Sequence, residues 1–245
     1  MIKIITWITK IIVIVLTALF FSSCHFDYNS IKGSGRITTE NRTIPEKFTS
    51  IDVSSAIELI IEQSDKTEVV VEADDNLQNT IVTEVKNGKL IIANKSYISI
   101  HNGTRKVRVK MPIIEGLEAS SASSITNVNA LKGNQLYLKT SSAATINLDG
   151  IKVDTISSNS SSGSTIKLKG LALRLIAKAS SGSSHKCFRL FANEVSADAS
   201  SGSNIEIHPI VSLKAEASSG ASINYNATPK TINQKASSGG SIQLD

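Results

Sequence analysis

Short stretches of alternating apolar and polar residues recur through the second half of the chain. Each stretch follows a Ser-Ser pair and one small residue, and successive pairs are 18 to 21 residues apart. The pairs begin at Ser120, Ser141, Ser161, Ser180, Ser200, Ser218 and Ser237. The fifth and seventh residues after the first serine are mostly apolar, whereas the residue between them is mostly polar. Period-two alternation of this kind predicts a short strand with one buried face in every repeat.

A second column of aliphatic residues lies five positions before the serine pairs. It comprises Leu136, Ile156, Leu175, Val195, Leu213 and Ile232. Each unit of about 20 residues therefore offers two short strands around a tight corner, and it buries its apolar residues only by stacking on its neighbours. This pattern predicts a right-handed parallel β-helix (a β-solenoid), because parallel crossovers are almost always right-handed. A β-sandwich is the alternative fold, but it gives no reason for a corner at a fixed interval.

The serine corner carries two structural expectations. Its third position is Gly or Ala in every copy, which indicates either a positive φ or a lack of room for a side chain. The neighbouring serines are expected to bond to backbone groups of the corner. The prolines at positions 45, 112, 209 and 229 are expected to lie outside the strands, because proline cannot donate to a ladder.

The first half of the chain predicts longer strands. The candidates are Phe48–Val53, Ile57–Glu62, Thr67–Glu72, Lys89–Asn94 and Lys106–Met111. Asn87-Gly88 is a hairpin-turn signal, and Asp74–Asn79 is expected to form one helical turn. An eighth corner begins at Ser54, 66 residues before Ser120, which leaves room for three longer turns. We therefore predict one head domain over residues 35–245, with longer irregular rungs over 35–116 and regular repeats over 117–245.

The first 23 residues have the pattern of an export signal. Two lysines precede the apolar run Ile11–Phe21, which is shorter than the ~20 residues of a membrane-spanning helix. The following Phe21-Ser22-Ser23-Cys24 resembles a bacterial lipobox, in which the cysteine accepts a diacylglyceryl group and becomes the first mature residue. We predict lipidation of Cys24 and a flexible tether over residues 24–34. The alternative is an ordinary secretory signal with an incidental cysteine.

Charge and cysteine content exclude several classes of function. The formal net charge of the 245 residues is +5, and it falls to +3 when the signal and its two lysines are removed. A dispersed charge of this size argues against a nucleic-acid partner. Two cysteines exclude a disulfide-rich scaffold and a four-cysteine zinc site. No metal or other cofactor is predicted.

Several short motifs occur in order along the mature chain. They are Gly33-Ser34-Gly35, Phe48-x-x-Ile51-Asp52-Val53, Asn87-Gly88-Lys89-Leu90 and the serial Ala-Ser-Ser-Gly corners. Together, from about Gly33 to Asp245, they resemble the auto-transporter adhesin, head GIN domain family of bacterial envelopes. The resemblance implies a right-handed parallel β-helix on a secreted or lipid-anchored protein. It implies no catalytic residues, because the family has no established activity.

Two groups of residues are candidates for chemistry or binding. His185-Lys186-Cys187 holds a histidine and the one cysteine left after anchoring, yet His185 falls in the isoleucine column and Cys187 in the leucine column. We therefore interpret both as core residues. The fourth residue after each first serine is polar, and we interpret these residues as the solvated side of the strands. The alternative is an outward ladder of hydroxyl and amide groups that binds a repetitive polymer such as a glycan. The ladder consists of Ser124, Thr145, Thr165, Ser184, Asn204, Ser222 and Ser241.

The acidic residues favour a binding protein over an enzyme. Polysaccharide-active β-helices need clustered carboxylates or basic residues on one lateral face, but Asp74-Asp75 and Glu115 with Glu118 are not repeated across rungs. We predict a non-enzymatic, lipid-anchored protein of the cell envelope, at the outer membrane, with a structural, adhesive or polymer-binding role. Its expected partners are the membrane, through the anchor, and a glycan or an envelope protein. The alternatives are a polysaccharide lyase or hydrolase and a scaffold for another envelope protein.

Overall fold

The computed structural model describes residues 7–8, 10–15, 30–95 and 99–245. Strands make up 63% of the chain, so the fold is nearly all-β. Residues 7–8 and 10–15 are helical. In this described part, no helix is both long enough and apolar enough to cross a membrane.

The strands fall into two sets along the chain. Before the regular repeats lie β1 (Ser30–Lys32), β2 (Ile37–Arg42), β3 (Ser50–Val53), β4 (Glu58–Gln63), β5 (Glu68–Asp74), β6 (Ile81–Lys86), β7 (Lys89–Asn94), β8 (Ser99–His101), β9 (Arg105–Met111) and β10 (Gly116–Ala119). The repeats contain β11 (Ser124–Asn127), β12 (Lys132–Thr140), β13 (Thr145–Ser160), β14 (Thr165–Ala179), β15 (Ser184–Ala199), β16 (Asn204–Ala217), β17 (Ser222–Tyr225), β18 (Thr231–Ala236) and β19 (Ser241–Leu244).

Each regular rung has three straight segments. In β13 buried and outward residues alternate, but the alternation shifts at Asp149-Gly150 and again at Asp154-Thr155. The strand therefore bends twice, and the serine corner supplies the third bend of the turn. We call residues 145–148 and their equivalents in other rungs the first face, residues 151–153 and theirs the second face, and residues 156–160 and theirs the third face.

Parallel pairing stacks these segments rung upon rung. On the first face Ile146, Ile166, His185 and Ile205 are aligned, and on the third face Ile156, Leu175, Val195 and Leu213 are aligned. These inward columns are buried and form one hydrophobic core along the whole stack. The predicted β-solenoid with repeats of about 20 residues is confirmed, and it makes about 6 turns.

Antiparallel strands close the N-terminal end of the solenoid. β3 and β4 pair in parallel with β10 and β11, so the corner at Ser54 stacks directly on the corner at Ser120. Between them the chain adds β9 beside β4, then β5 and β2, and a β6–β7 hairpin beside β3. The expectation of three longer turns in this interval is therefore wrong. The extra residues cap a sheet end that would otherwise offer unpaired backbone groups.

The strands predicted for this region are confirmed, although the three longer solenoid turns are not. β3, β4, β5, β7 and β9 coincide with the five candidates within a few residues. Asn87 and Gly88 join β6 to β7 with φ of 52° and 72°, as a tight hairpin turn requires. The helical turn is a short 3₁₀ segment at Gln78–Thr80, later than the centre of the predicted range.

Two consecutive residues of each serine corner have left-handed backbone conformation. At the corner that begins at Ser200, Ser201 has φ of 52° and Gly202 has φ of 68°. The Ser203 N–H donates to the Ser200 carbonyl at 3.2 Å and closes the turn, while the Gly202 N–H donates to the Ser219 carbonyl of the next rung at 3.0 Å. A Cβ on Gly202 would meet nothing within 4 Å, so positive φ, and not lack of room, explains the glycine.

Buried serines bond the corners together, as expected. The Ser203 hydroxyl donates to the Ala179 carbonyl of the preceding rung at 2.9 Å and accepts from the Ser200 N–H at 3.1 Å. Its counterpart Ser183 makes the equivalent bonds to the Ser160 carbonyl and from the Ser180 N–H. The N–H and carbonyl groups that each hydroxyl bonds are also paired with each other between the rungs, so the serine adds a second link at every corner.

One proline contradicts the expectation that prolines avoid the strands. Pro209 lies inside β16, where it is buried and aligned with Ala192. On the other side of β16, β17 pairs only as far as Ile207 and β18 starts pairing at Ser212. No neighbouring strand needs an N–H from position 209 on that side, so the ladder loses no bond there.

The segment predicted as a flexible tether, residues 24–34, contains a strand. Residues 24–29 lie outside the described residues, but Ser30–Lys32 form β1 and pair with β8. The Gly35 N–H then donates to the Asp74 carboxylate at 2.6 Å. At most residues 25–29 therefore separate Cys24 from the first strand.

Candidate functional site

The predicted ladder of polar residues forms one straight column on the first face. Parallel register aligns Ser124 with Thr145 and Thr165, then with Ser184, Asn204, Ser222 and Ser241. The side chains are half-buried except that of Ser241, which is exposed. Near the C-terminal end the Ser222 hydroxyl donates to the Asn204 side chain at 2.8 Å, so parts of the ladder are already bonded along the column.

A second outward column beside the ladder carries two adjacent lysines. Lys167 and Lys186 are direct register partners, so their backbones are one strand spacing apart. Among the residues that the structure describes, neither ammonium has a carboxylate within the 4.0 Å of an ion pair, although other lysines and arginines on the strands do. Two lysines on neighbouring strands without an ion-pair partner present positive charge to an anion.

A small groove follows at the bend between the first and second faces. Its volume is about 230 Å³, and Lys167, Lys186, Phe188 and Arg189 line it together with Asn147 and Glu206. Phe188 is half-buried and offers an apolar wall between the cationic groups. Sequence reasoning found the ladder but missed this groove, because Phe188 and Arg189 become neighbours of Lys167 only through the register of β14 and β15.

The third face carries a mixed cluster of charges at its N-terminal end. Asp52 and Glu118 are register partners, and Lys89 donates a hydrogen bond to Glu118. Burial, followed by the nearby Glu118 carboxylate, raises the pKa of Asp52, while Lys89 and Lys139 act in the opposite direction. Sequence reasoning did not pair these two acids, because they are 66 residues apart and the capping strands intervene.

A shallow groove continues along the third face beside the serine corners. It has a volume of about 300 Å³ and is lined by Lys139, Asn159, Lys178 and Asp198, with the first serines of three corners at its edge. These four residues form one register column. Lys139 and Lys178 form no ion pair within 4.0 Å in the described part of the chain, which makes this groove a useful comparison for the first face.

Large apolar side chains are exposed on the second face and at its bend toward the third face, and the sequence did not predict them. The exposed fractions are 53% for Leu171, 56% for Leu173, 42% for Phe191, 44% for Ile210 and 39% for Val211. They lie on three successive rungs, β14, β15 and β16. The signal in the sequence is a cluster of apolar residues between the two alternating segments of these repeats. We call these five residues the apolar patch.

His185 and Cys187 are core residues, as predicted. Both are fully buried, and burial lowers the pKa of His185 to about 3 and raises that of Cys187 to about 12. The His185 Nδ1 lies 3.3 Å from the Ser160 hydroxyl, whose own proton goes to Ser183 at 2.8 Å. The His185 Nε2 is buried without a hydrogen-bond partner. A buried thiol with a raised pKa stays protonated and is a poor nucleophile.

The acidic pair Asp74-Asp75 has a structural role. Asp74 is 2% exposed, and its carboxylate accepts the N–H groups of Gly35 and Thr104, both at 2.6 Å. Asp75 pairs with Arg36 and accepts from the Ser34 hydroxyl, and these hydrogen bonds lower its pKa. The Gly-Ser-Gly motif thus fastens the start of the domain to the end of β5.

The remaining predictions concern a metal site and the lipidation site. Over the described residues, no group of three or more His, Cys, Asp or Glu side chains could hold a metal ion. Cys24, the predicted lipidation site, lies outside the described residues, as does nearly all of the predicted signal except residues 7–8 and 10–15.

Comparison with known proteins decides the family. Residues 47–229 match the family described as "Putative auto-transporter adhesin, head GIN domain", which is well over half of the chain. The chain belongs to this family. The resemblance noted from the short motifs is therefore confirmed, and the head GIN family supports an adhesin-like protein of the cell envelope. A search of curated protein sequences finds no match.

Solved structures share the fold at low sequence identity. An adhesin-like protein from Bacteroides fragilis has a TM-score of 0.83 and 19% identity, covering 88% of this chain and 100% of its own. A protein from Parabacteroides distasonis, described as a lipid binding protein, has a TM-score of 0.75 and 20% identity, covering 89% and 100%. An adhesin-like protein from Parabacteroides merdae has a TM-score of 0.70 and 20% identity, covering 89% and 99%. At this identity the likeness concerns the fold alone.

Proposed function

We propose that this head GIN protein is a non-enzymatic, lipid-anchored binding module of the cell envelope that holds an acidic glycan along its first face. The observation that carries the proposal is the aligned polar ladder beside the groove of Lys167, Lys186 and Phe188. A ladder with one polar side chain per rung presents a hydroxyl or an amide at every strand spacing. A polymer with a regular repeat can use such a surface along its length.

The charge of the ligand follows from the groove. Lys167, Lys186 and Arg189 form no ion pair within 4.0 Å in the described chain, and Glu206 is the one carboxylate in the lining of this groove. A carboxylate, sulfate or phosphate substituent between the two lysines would relieve their repulsion and accept charge-assisted hydrogen bonds. The half-buried Phe188 would contact the apolar face of a sugar ring. This favours an acidic glycan over a neutral one.

A pair of double variants tests the ligand and the face. Lys167→Gln with Lys186→Gln should weaken binding to polygalacturonate, a carboxylated glycan, at least about tenfold, because each charge-assisted hydrogen bond contributes about 1.5–3 kcal/mol. Lys139→Gln with Lys178→Gln removes the same charge from the third face and should leave binding within about twofold. Affinity electrophoresis in gels with polygalacturonate or neutral dextran measures both. Equal weakening by the two pairs, or equal retention by dextran, would contradict the proposal.

The lipid anchor is proposed on the lipobox-like segment ending at Cys24. The described head supports this placement, because its first strand begins at Ser30 and leaves a short connection to the membrane. Cys24→Ala should abolish acyl labelling and release the protein from the membrane fraction, since the acceptor thiol is gone. Metabolic labelling with a palmitate analogue measures this result. Unchanged labelling would show that Cys24 is not the acceptor.

The charge cluster on the third face supports a second candidate function. Asp52 and Glu118 are register partners, and burial and the Glu118 carboxylate raise the pKa of Asp52. Two neighbouring carboxyl groups are the residues that glycoside hydrolysis uses. Incubation with oligogalacturonides and neutral oligosaccharides tests for cleavage. Product release that Asp52→Asn abolishes, while the lysine variants of the first face retain it, would favour this enzyme over a binding module.

A further inference from the structure

We infer that the apolar patch of the second face rests on the lipid bilayer, an inference that rests on the proposed anchor at Cys24. The patch is continuous, because Leu171 and Phe191 are direct register partners on neighbouring rungs. Leu171, Leu173, Phe191 and Ile210 line one open groove with a volume of about 380 Å³. Monomeric soluble proteins rarely expose contiguous apolar surface of this kind without a partner.

Basic residues lie directly beside the patch. The register column that contains Leu171 and Phe191 continues toward the N-terminal end through Lys152 and Lys132. Neither lysine forms an ion pair within 4.0 Å among the described residues, and both are exposed. Apolar side chains flanked by free cations match a surface with an apolar interior and anionic headgroups. Asp154 is the one carboxylate that lines the same groove.

The length of the tether brings this face within reach of the bilayer. Six chain steps separate Cys24 from Ser30, which span at most about 22 Å. Gly35 is bonded to the end of β5, and the rungs of the patch, β14 to β16, are five to seven strand spacings from β5, or about 24 to 34 Å. A head held this close to the membrane can lie along the bilayer. The second face is the one that gains from this contact, because its exposed side chains are apolar.

This orientation also places the proposed binding surface. The serine corners join the third face to the first and are therefore opposite the second face in the three-sided cross-section. With the second face on lipid, the corners point away from the membrane and the ladder of the first face remains open to solvent. The groove of Lys167 and Lys186, at the bend between the first and second faces, lies at the edge of the docked face.

Site-directed fluorescence tests the contact on the acylated protein. Leu173→Cys is labelled with a polarity-sensitive dye, since Cys24 carries the lipid and Cys187 is fully buried. The protein is reconstituted in vesicles of phosphatidylethanolamine and phosphatidylglycerol with or without brominated acyl chains. Asn233→Cys on the third face, where the side chain is also exposed, is the matched control. We expect a blue shift and quenching by the brominated chains at position 173 and neither effect at position 233.

Each other outcome overturns the inference in a recognisable way. In one outcome the protein floats with the vesicles while the brominated chains quench neither probe or quench both equally. In that case the head is anchored but its second face is not docked. A blue shift at position 173 without quenching by brominated chains shows that a second copy covers the patch. Wild-type protein that does not float with the vesicles refutes the anchor itself, and the docking inference falls with it.

Discussion

Replacing His185 with isoleucine should make the protein resistant to mild acid. The native imidazole is fully buried between Ile166 and Ile205, and its Nε2 has no acceptor for a second proton. Burial therefore lowers its pKa from 6.5 to about 3. As the pH falls below 6.5, the unfolded chain takes up a proton at this residue while the native chain does not. Proton binding lowers the free energy of the unfolded state in this range, so stability is lost between pH 6.5 and about 3.

The size of the effect follows from the distance between the pH and the unfolded pKa. At pH 4.5 the unfolded imidazole is two pH units below its pKa, and each unit corresponds to about 1.4 kcal/mol, so the native state loses about 3 kcal/mol. At pH 7.5 the same contribution is close to zero. Isoleucine fits the column, because that residue type occupies the equivalent position in β13, β14 and β16. His185→Ile should therefore match the wild type within about 1 kcal/mol at pH 7.5.

Urea unfolding at both pH values measures this difference. The wild-type free energy of unfolding should fall by about 3 kcal/mol more than that of His185→Ile between pH 7.5 and pH 4.5. His101→Asn, which removes an exposed imidazole, is the control and should fall as the wild type does. An equal fall in wild type and His185→Ile would refute the reasoning, because it would mean that His185 is protonated in the native state as readily as in the unfolded chain.

Two further predictions concern backbone geometry and a buried carboxylate. Gly202→Val should lower the free energy of unfolding by about 1–3 kcal/mol because its φ of 68° is strained for a branched residue, whereas Ser201→Gly, at a φ of 52°, should change it by less than about 1 kcal/mol. Urea denaturation measures both, and equal effects would contradict the corner geometry. Asp74→Ala should cost about 3 kcal/mol, because it removes the buried carboxylate that accepts hydrogen bonds from the N–H groups of Gly35 and Thr104, and Asp74→Asn should cost less. An Asp74→Ala protein as stable as the wild type would show that water replaces the carboxylate.

Much of the solenoid was predictable because its physics is local and repeated. A strand that buries one face needs alternating residues, and a corner with positive φ needs glycine or a residue that tolerates the strain. The same period assigned His185 and Cys187 to the core and placed Ser124 and its equivalents in one ladder. Each of these inferences needs only the position of a residue within its own repeat, and the register of the strands confirms them.

The cap was less predictable because antiparallel pairing breaks the period. The sequence interval between Ser54 and Ser120 is long enough for more turns, and strand patterns alone do not distinguish an ascending turn from a chain that reverses. The Ala56 N–H donates a hydrogen bond to the Ser121 carbonyl at 2.8 Å, although the two residues are far apart in the sequence. Only the folded chain selects it, because it depends on β5 and β9 pairing in opposite directions.

The sequence by itself determined that the chain repeats, that each repeat buries one side of two strands, and that serine corners join them. These follow from side-chain polarity and backbone preference, which act over a few residues. The tertiary structure alone decided which surface residues become neighbours: Lys167 with Lys186, Asp52 with Glu118, and Leu171 with Phe191. The reason is that register brings together residues 19 to 66 positions apart, and the chemistry of an outer face depends on those neighbours.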